Sequence, residues 1–345
     1  MDGRGVIYIS RAYVIYRSED RGISWRLDCF IPAVAWKGAI ARFRYSARLL
    51  RFYVAAVRVL SDGTRVVIAR DGIYRASPGD VRLERVFAIV RGSRPLNLGV
   101  DNQDRVLFGE YGGNPRRHEV FIYVSEDRGR SFHVVYEFKP SEIRHVHNII
   151  YDPFLDKYWV LVGDFDHETG IGLLDKDLSS LEWVARGNQK VRAVSAIVEE
   201  DCLLYGTDSE LQPNHIVRLD KRTRELVELC SVEGTSLYAT RFGLVRVIST
   251  CVEPSRVNRS RYSTLYASED GLHWCALKSY RKDCLPFVLF QLGTLVLPYS
   301  DCDGSIGVYS GQAVTGLDNH VCVVSFGSSA EAVSATPSHA PDGPA

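Results

Sequence analysis

Ile143-Arg144-His145-Val146-His147-Asn148 is the stretch of this chain best equipped for chemistry. Alternate side chains of an extended run share a face, so His145 and His147 point together and Arg144 points away unless the strand is bulged. An H-x-H of this kind has three uses: it binds a divalent metal, acts as a general base, or holds a sugar by hydrogen bonds. Carboxylates recur in one setting elsewhere. Glu110, Asp164, Asp208, Glu253 and the pair Asp301/Asp303 each follow an apolar, β-rich run. Two carboxylates at a suitable separation hydrolyse a glycosidic bond, and Glu110, Asp164, Asp208 and Glu253 are the candidates. A lyase would instead use His145 or His147 with Tyr238 as base and acid, and Arg192 or Arg241 to hold a uronate carboxylate. Arg94, Arg116, Arg117, Asn114, Asn214, His215, Arg256 and Asn258 supply further polar contacts. Such Asp and Glu residues also cap ordinary turns; their recurrence at equivalent places singles them out.

Composition narrows the partners. The chain has 345 residues, 46% hydrophobic and 24% charged, enough to bury a large core. Its 42 Lys+Arg balance 42 Asp+Glu, which excludes a general nucleic-acid or membrane-surface binder of the basic type. Arginine provides 34 of those cations and lysine 8. Arginine's planar fork suits carboxylate and phosphate, so an anionic small molecule or oligosaccharide is the expected ligand. Met1 to Ser10 carries Asp2 and Arg4 and lacks a long apolar run, and Val288 to Leu297 is about half a membrane span. The expectation is a cytoplasmic protein. Its eight cysteines show no CxxC pair and read as reduced, mostly buried residues. Ser, Ala, Pro and Gly dominate 327–345, which reads as a disordered tail.

The elements that position these residues come from a repeat. Ser18-Glu-Asp20-Arg-Gly22-Ile-Ser24-Trp25, Ser125-Glu-Asp127-Arg-Gly129-Arg-Ser131-Phe132 and Ser268-Glu-Asp270-Gly271-Leu-His-Trp274 share one pattern, each after a short β-rich run. Asp and Ser side chains bond the turn's own amides, Gly supplies positive φ, and the aromatic residue re-enters the core. Degenerate hairpins at Tyr74 to Leu83, Leu174 to Trp183 and Leu219 to Leu226 fill the intervals. The spacing is near fifty residues per unit, that of propeller blades. After Trp274 come four strand-like runs, Leu285 to Phe290, Thr294 to Tyr299, Ser305 to Ser310 and His320 to Phe326; the first unit has three. The fold predicted is all-β: one β-propeller over 1–326, seven blades with six as the alternative, one terminus closing against the other. Residues 31–52 fit neither neighbouring blade and read as an insertion.

The three segments resemble the Asp-box (bacterial neuraminidase) repeat, S-x-D-x-G-x-[ST]-W, of the sialidase-like β-propellers, and the resemblance covers roughly Val6 to Phe326. In those families the box lies at the turn between a blade's third and fourth strands, away from the ligand. Second-to-third loops and blade crossings then share the opposite face, which carries the histidines and the carboxylates. Sialidases use an arginine triad, a Tyr–Glu nucleophile pair and an Arg-Ile-Pro signature. Here Cys29-Phe30-Ile31-Pro32 lacks the arginine, so that catalytic set does not carry over. His145 to Asp164, with Tyr151-Asp152-Pro153 and Trp159, resembles uncharacterised bacterial and archaeal Asp-box proteins. Three functions remain open: a glycoside hydrolase or polysaccharide lyase acting on an anionic sugar, a non-catalytic glycan or ligand binder, and a protein-assembly scaffold. Polar, inward-pointing rims favour the first two.

Overall fold

A computed structural model describes residues 5–32, 40, 43–299, 304 and 306–326, with the backbone of 333–339. The described chain is all-β, built of meandering antiparallel sheets. The first sheet has three strands, β1 (Ile7–Arg11), β2 (Val14–Ser18) and β3 (Arg26–Phe30). A four-stranded sheet follows: β4 (Ala56–Val59), β5 (Arg65–Ala69), β6 (Gly72–Ala76) and β7 (Glu84–Ala88). The next is β8 (Gly99–Val100), β9 (Val106–Gly109), β10 (Val120–Ser125) and β11 (His133–Phe138). Then come β12 (Val146–Asp152), β13 (Lys157–Val162), β14 (Gly170–Leu174) and β15 (Leu181–Arg186). The fifth is β16 (Ile197–Val198), β17 (Cys202–Gly206), β18 (Asn214–Asp220) and β19 (Leu226–Val232).

The last sheet has eight strands. Its first meander is β20 (Thr235–Phe242), β21 (Val245–Val252), β22 (Tyr262–Ser268) and β23 (Cys275–Arg281). Its second is β24 (Gly293–Val296), β25 (Ile306–Gln312), β26 (His320–Ser325) and β27 (Val333–His339). The two join where Cys251 and Val252 of β21 pair with Thr294 and Gly293 of β24.

Burial explains why these strands read as apolar runs rather than clean alternations. Every residue of β5, β9 and β17 is buried, because both faces of a central strand are covered. The outer strands β7, β11 and β23 are largely exposed. Apolar clusters link each meander to the next. Ile15 and Cys29 pack on Val67 and Tyr74. Val66 and Ile68 pack on Leu98 and Phe108. Leu107 and Ile122 pack on Ile149 and Tyr158. Trp159 and Leu161 pack on Leu203 and Tyr205. Leu204 and Ile216 pack on Ala239 and Ile248. Phe242 and Leu265 pack on Leu295 and Tyr309. Finally Ile7 of β1 packs on Val308 of β25 and Val321 of β26.

The three turns carry the expected bonds. In the second, Ser125 Oγ donates to Asp127 Oδ1 (2.7 Å) and accepts from Gly129 N (2.7 Å). Asp127 also accepts from Ser131 N (2.9 Å) and Ser131 Oγ (2.7 Å). Ser18, Asp20, Gly22 and Ser24 repeat this arrangement. In the third turn His273 Nδ1 takes the place of the last Ser, 2.6 Å from Asp270 Oδ2.

Two expectations are corrected, the strand at Leu285 to Phe290 and the tail without structure. Leu285 to Phe290 is not a strand: Pro286 lacks an amide hydrogen and opens a short helical turn, Phe287–Phe290, with Phe290 N bonded to Pro286 O (2.8 Å). The insertion contains a helix, Arg44–Leu50, whose Arg48 is buried. Arg48 Nη1 pairs with Asp283 (2.6 Å) and Asp318 (3.2 Å), and its Nε donates to Phe290 O (3.1 Å). The expected tail contains a strand, β27, paired along β26. Among the described residues the seven cysteines are free, and no helix is long and apolar enough to cross a membrane.

Asp127 generates a stability prediction. Burial opposes its charge, but the hydrogen bonds from Ser131 and Ser125 outweigh it and lower its pKa to about 2. The folded value lies below an unfolded value near 3.9, so its stabilisation is present above about pH 4 and lost as pH falls through about 2. Asp127→Ala is expected to cost about 1 to 2 kcal/mol at neutral pH, allowing for solvent screening. Denaturant titrations of both proteins at pH 7 and near pH 2.5 should show that difference shrinking with acid.

Candidate functional site

Strand direction alternates within each meander, so the ends of β9, β13, β17 and β21 open on one face with the crossings between meanders. Asp164 begins the loop after β13. Gly163 before it has φ +103°, and a Cβ there would lie 2.4 Å from Thr169 Cα, so the turn requires glycine. His145 and His147 arrive on the crossing into β12, where the register shifts between Val146 and Asn148. That bulge and the irregular backbone before it void simple alternation. Both rings lie together, centroids 4.9 Å apart. Arg144, expected to point away, reaches the same carboxylate.

Asp164 is the centre of the arrangement. Its Oδ1 lies 3.5 Å from His145 Nε2 and 3.4 Å from His147 Nε2. Arg192 Nη2 is 3.3 Å from that oxygen, and Arg144 Nη1 donates to Oδ2 at 2.5 Å. Burial works against the Asp164 charge, yet the two histidines outweigh it and hold the carboxyl far below the usual range. Each ring is anchored through its other nitrogen. His145 Nδ1 meets Gly112 O at 2.6 Å, and His147 Nδ1 meets Ala193 O at 2.8 Å. Gly112 must be glycine for this, since a Cβ there would lie 2.9 Å from Gly92 Cα. Both histidines are buried, at 4% and 3% exposure. Burial first, with His145 adding to it, holds His147 below the ordinary imidazole value against the pull of Asp164.

Arg192 extends the site, with Nη2 3.4 Å from Asp208 Oδ2. Asp208 is buried, its Oδ1 has no partner, and burial raises its pKa well above the usual range against the pull of Arg192. Glu253 accepts from Thr235 Oγ1 (3.0 Å) and is raised by burial and then by Glu210. Tyr111 lies with its ring 4.5 Å from that of His145. Its hydroxyl is raised to about 12 by burial and by Asp164, Asp208 and Glu253.

Of the residues expected from sequence, the structure gathers His145, His147, Asp164, Arg192, Asp208 and Glu253. It adds Arg144, Tyr111 and Glu210. Neighbouring strand residues point to opposite sides, and of Glu110 and Tyr111 it is the tyrosine that faces the histidines. Glu110 instead accepts from Phe121 N (3.2 Å) and Tyr123 Oη (3.3 Å) and sits 3.4 Å from Arg91. Asn214 is spent on structure: its side chain bonds Thr207, Ser209 and Asn258. Arg241 stands near the far end of β20, 3.6 Å from Glu199 in the β16–β17 turn, and so lies toward the opposite face. Tyr238 belongs to a neighbouring group with Tyr299, Arg94 and Tyr53, where Arg94 Nη2 donates to Tyr53 Oη (3.1 Å). Arg116 is exposed, and Arg117 pairs with Glu168. Asp301 and Asp303 lie outside the described residues. Asp152 and Trp159 are structural: Asp152 accepts from Trp159 Nε1 (2.8 Å) and pairs with Lys221 of the next sheet (2.6 Å).

Among known proteins, the BNR-Asp box repeat family matches residues 15–27, the first of the three turns. No curated protein sequence matches the chain. The fold is similar to the GH74 xyloglucanase from Xanthomonas campestris at 15% identity and TM-score 0.59, over 93% of this chain and 50% of that one. It is also similar to a protein from Lactobacillus plantarum at 11% identity and TM-score 0.57, over 96% of each chain. A prolyl endopeptidase gives 9% identity and TM-score 0.60, over 98% of this chain and 49% of that one. Likeness at such identities is one of fold, a propeller-like all-β architecture. The chain spans about half the length of the xyloglucanase and of the endopeptidase.

A carbonyl oxygen only accepts hydrogen bonds, so both rings carry hydrogen on Nδ1. The expected result in nitrogen-15 correlation spectra, with chelator present, is hydrogen on Nδ1 of both His145 and His147. Replacing Asp164 by Asn should leave both tautomers unchanged, because the carbonyls set them.

Proposed function

We propose that the chain is a seven-bladed sialidase-like Asp-box propeller whose recess around Arg192 cleaves an anionic sugar, a glycoside hydrolase or lyase acting on a uronate-type oligosaccharide. The closed ring rests on the apolar contact of Ile7 with Val308 and Val321, one more step of the same sheet-to-sheet packing. The observation that carries the catalytic reading is the split between two carboxyls on one guanidinium. Asp164 and Asp208 each lie within 3.4 Å of Arg192 Nη2, yet the carboxyl of Asp164 is held far below its usual pKa by the histidines, while burial pushes that of Asp208 well above it. Carboxyls driven apart in this way divide into a charged partner and a proton donor. Their shared nitrogen keeps them within about 7 Å, the range of glycosidase pairs.

In this reading, for hydrolysis, Asp208 gives its proton to the leaving oxygen while water adds to the anomeric carbon and returns a proton to Asp208, and Asp164 holds Arg192 and Arg144 in place. Arg192 and Arg144 swing part of their hydrogen-bonding capacity to the substrate carboxylate. Glu253, with its raised pKa, is the second proton holder. Near-neutral net charge and the polar rim favour a small sugar acid or an oligosaccharide in the cytoplasm over nucleic acid, membrane or protein partners. Similarity to a xyloglucanase adds only that this fold accommodates glycan chemistry.

A panel of uronate-containing and neutral oligosaccharides tests the proposal, read by new reducing ends for hydrolysis and by ultraviolet absorbance of an unsaturated product for elimination. Turnover is expected on the anionic members. Arg192→Gln should lower kcat/KM at least ~100-fold in protein confirmed to be folded. Activity should fall as pH rises through the Asp208 pKa, and Asp208→Asn should remove that limb. Binding without turnover would replace the enzyme by a glycan binder, and neither binding nor turnover would sink the carbohydrate reading.

A further inference from the structure

Three atoms in this recess converge. Gly112 O and Ala193 O each take the hydrogen of an Nδ1, which turns Nε2 of His145 and of His147 inward. Both aim at Asp164 Oδ1, an acceptor, from 3.5 and 3.4 Å. His145 Nε2 is fully enclosed and has no hydrogen-bond partner. Lone pairs converging in a buried place repel unless a cation lies between them.

We infer that His145, His147 and Asp164 hold a divalent first-row transition metal ion, with at least one coordination position open toward Arg192, Asp208 and Tyr111. The three ligand atoms lie within 4.8 Å of one another. Bonds of about 2.1 Å in a tetrahedral site put neighbouring ligand atoms about 3.4 Å apart, as the two Nε2–Oδ1 separations are. The surroundings also suit a metal. Each imidazole gives its second N–H to a backbone carbonyl, the arrangement that orients ligating histidines, and Arg144 fixes the carboxylate through its other oxygen. Asp164, Asp208, Glu210 and Glu253 lie around Arg192, and Arg144 also reaches Asp164, so the recess holds more acidic groups than arginines. Two imidazoles and one carboxylate favour zinc, iron, cobalt or nickel over calcium or magnesium, which prefer an all-oxygen shell. Three protein ligands with an open position mark an ion that meets substrate or water.

The place of the ion beside the proton donor rests on the carbohydrate reading, but its binding does not, and the test separates them. Protein purified without a histidine tag is stripped with chelator and titrated calorimetrically with zinc, with bound metal counted by elemental analysis after dialysis. One equivalent is expected, together with a rise in melting temperature. Cobalt should give the intense visible bands of a four- or five-coordinate site. His145→Gln and Asp164→Asn should each weaken zinc binding at least about 100-fold, whereas His133→Gln, on exposed β11, should not change it. Should either site variant fail to fold, the cobalt spectrum and stoichiometry of the unaltered chain still decide. Absence of a stoichiometric ion in that chain, or zinc binding unchanged in folded His145→Gln and Asp164→Asn, overturns the inference. A bound ion without turnover on any sugar leaves it standing while removing the enzymatic reading, and turnover in fully stripped protein with no zinc binding does the reverse.

Discussion

An antiparallel meander returns every second strand end to the same side, and when its sheet is covered on both faces the loops have only two places to go. That constraint organises this protein. β5, β9 and β17 are buried from end to end, so nothing polar can leave the sheets except at their rims. The Ser–Asp–Gly turns occupy one rim, where each Asp is consumed by amides and hydroxyls of its own loop. The loops after β9, β13, β17 and β21 share the other rim with the crossings, and there Arg192, on the crossing between their meanders, reaches both Asp164 and Asp208.

Electrostatics then gives similar residues opposite characters. Asp164 and Asp208 both begin or occupy loops after a second strand, and both touch Arg192. Asp164 also has Arg144 and two histidine rings, enough to overcome desolvation. Asp208 is more deeply enclosed, has Arg192 as its one cationic partner, and faces Glu253, Asp164 and Glu210. Burial is common to the two; the number of cations that come with it differs. A buried charge persists only where partners compensate the lost water.

The histidines depend on backbone as much as on side chains. Gly112 and Ala193 belong to different loops, and their carbonyls set the tautomers that turn two Nε2 atoms toward one oxygen. Gly163 bends the chain so that Asp164 lands between them. The two glycines mark turns without saying what the turns bring together, and a backbone carbonyl such as that of Ala193 leaves no mark in residue type.

Local order in the sequence was enough for the hairpin turns, the repeat length, the all-β class and the rim that collects polar groups, because turn bonds span only a few residues and strand alternation is a local rule. It was enough to single out His145, His147, Asp164, Arg192, Asp208 and Glu253 as residues of that rim. Tertiary structure decided the rest. It took Arg241 toward the opposite end, because where β20 begins is fixed by pairing with β21. It spent Asn214 and Glu110 on their own loops, brought in Arg144 through a bulge, and chose Tyr111 over its neighbour. Register, bulges and contacts between meanders depend on residues in different segments, such as His147 and Ala193, and no spacing within one segment encodes them.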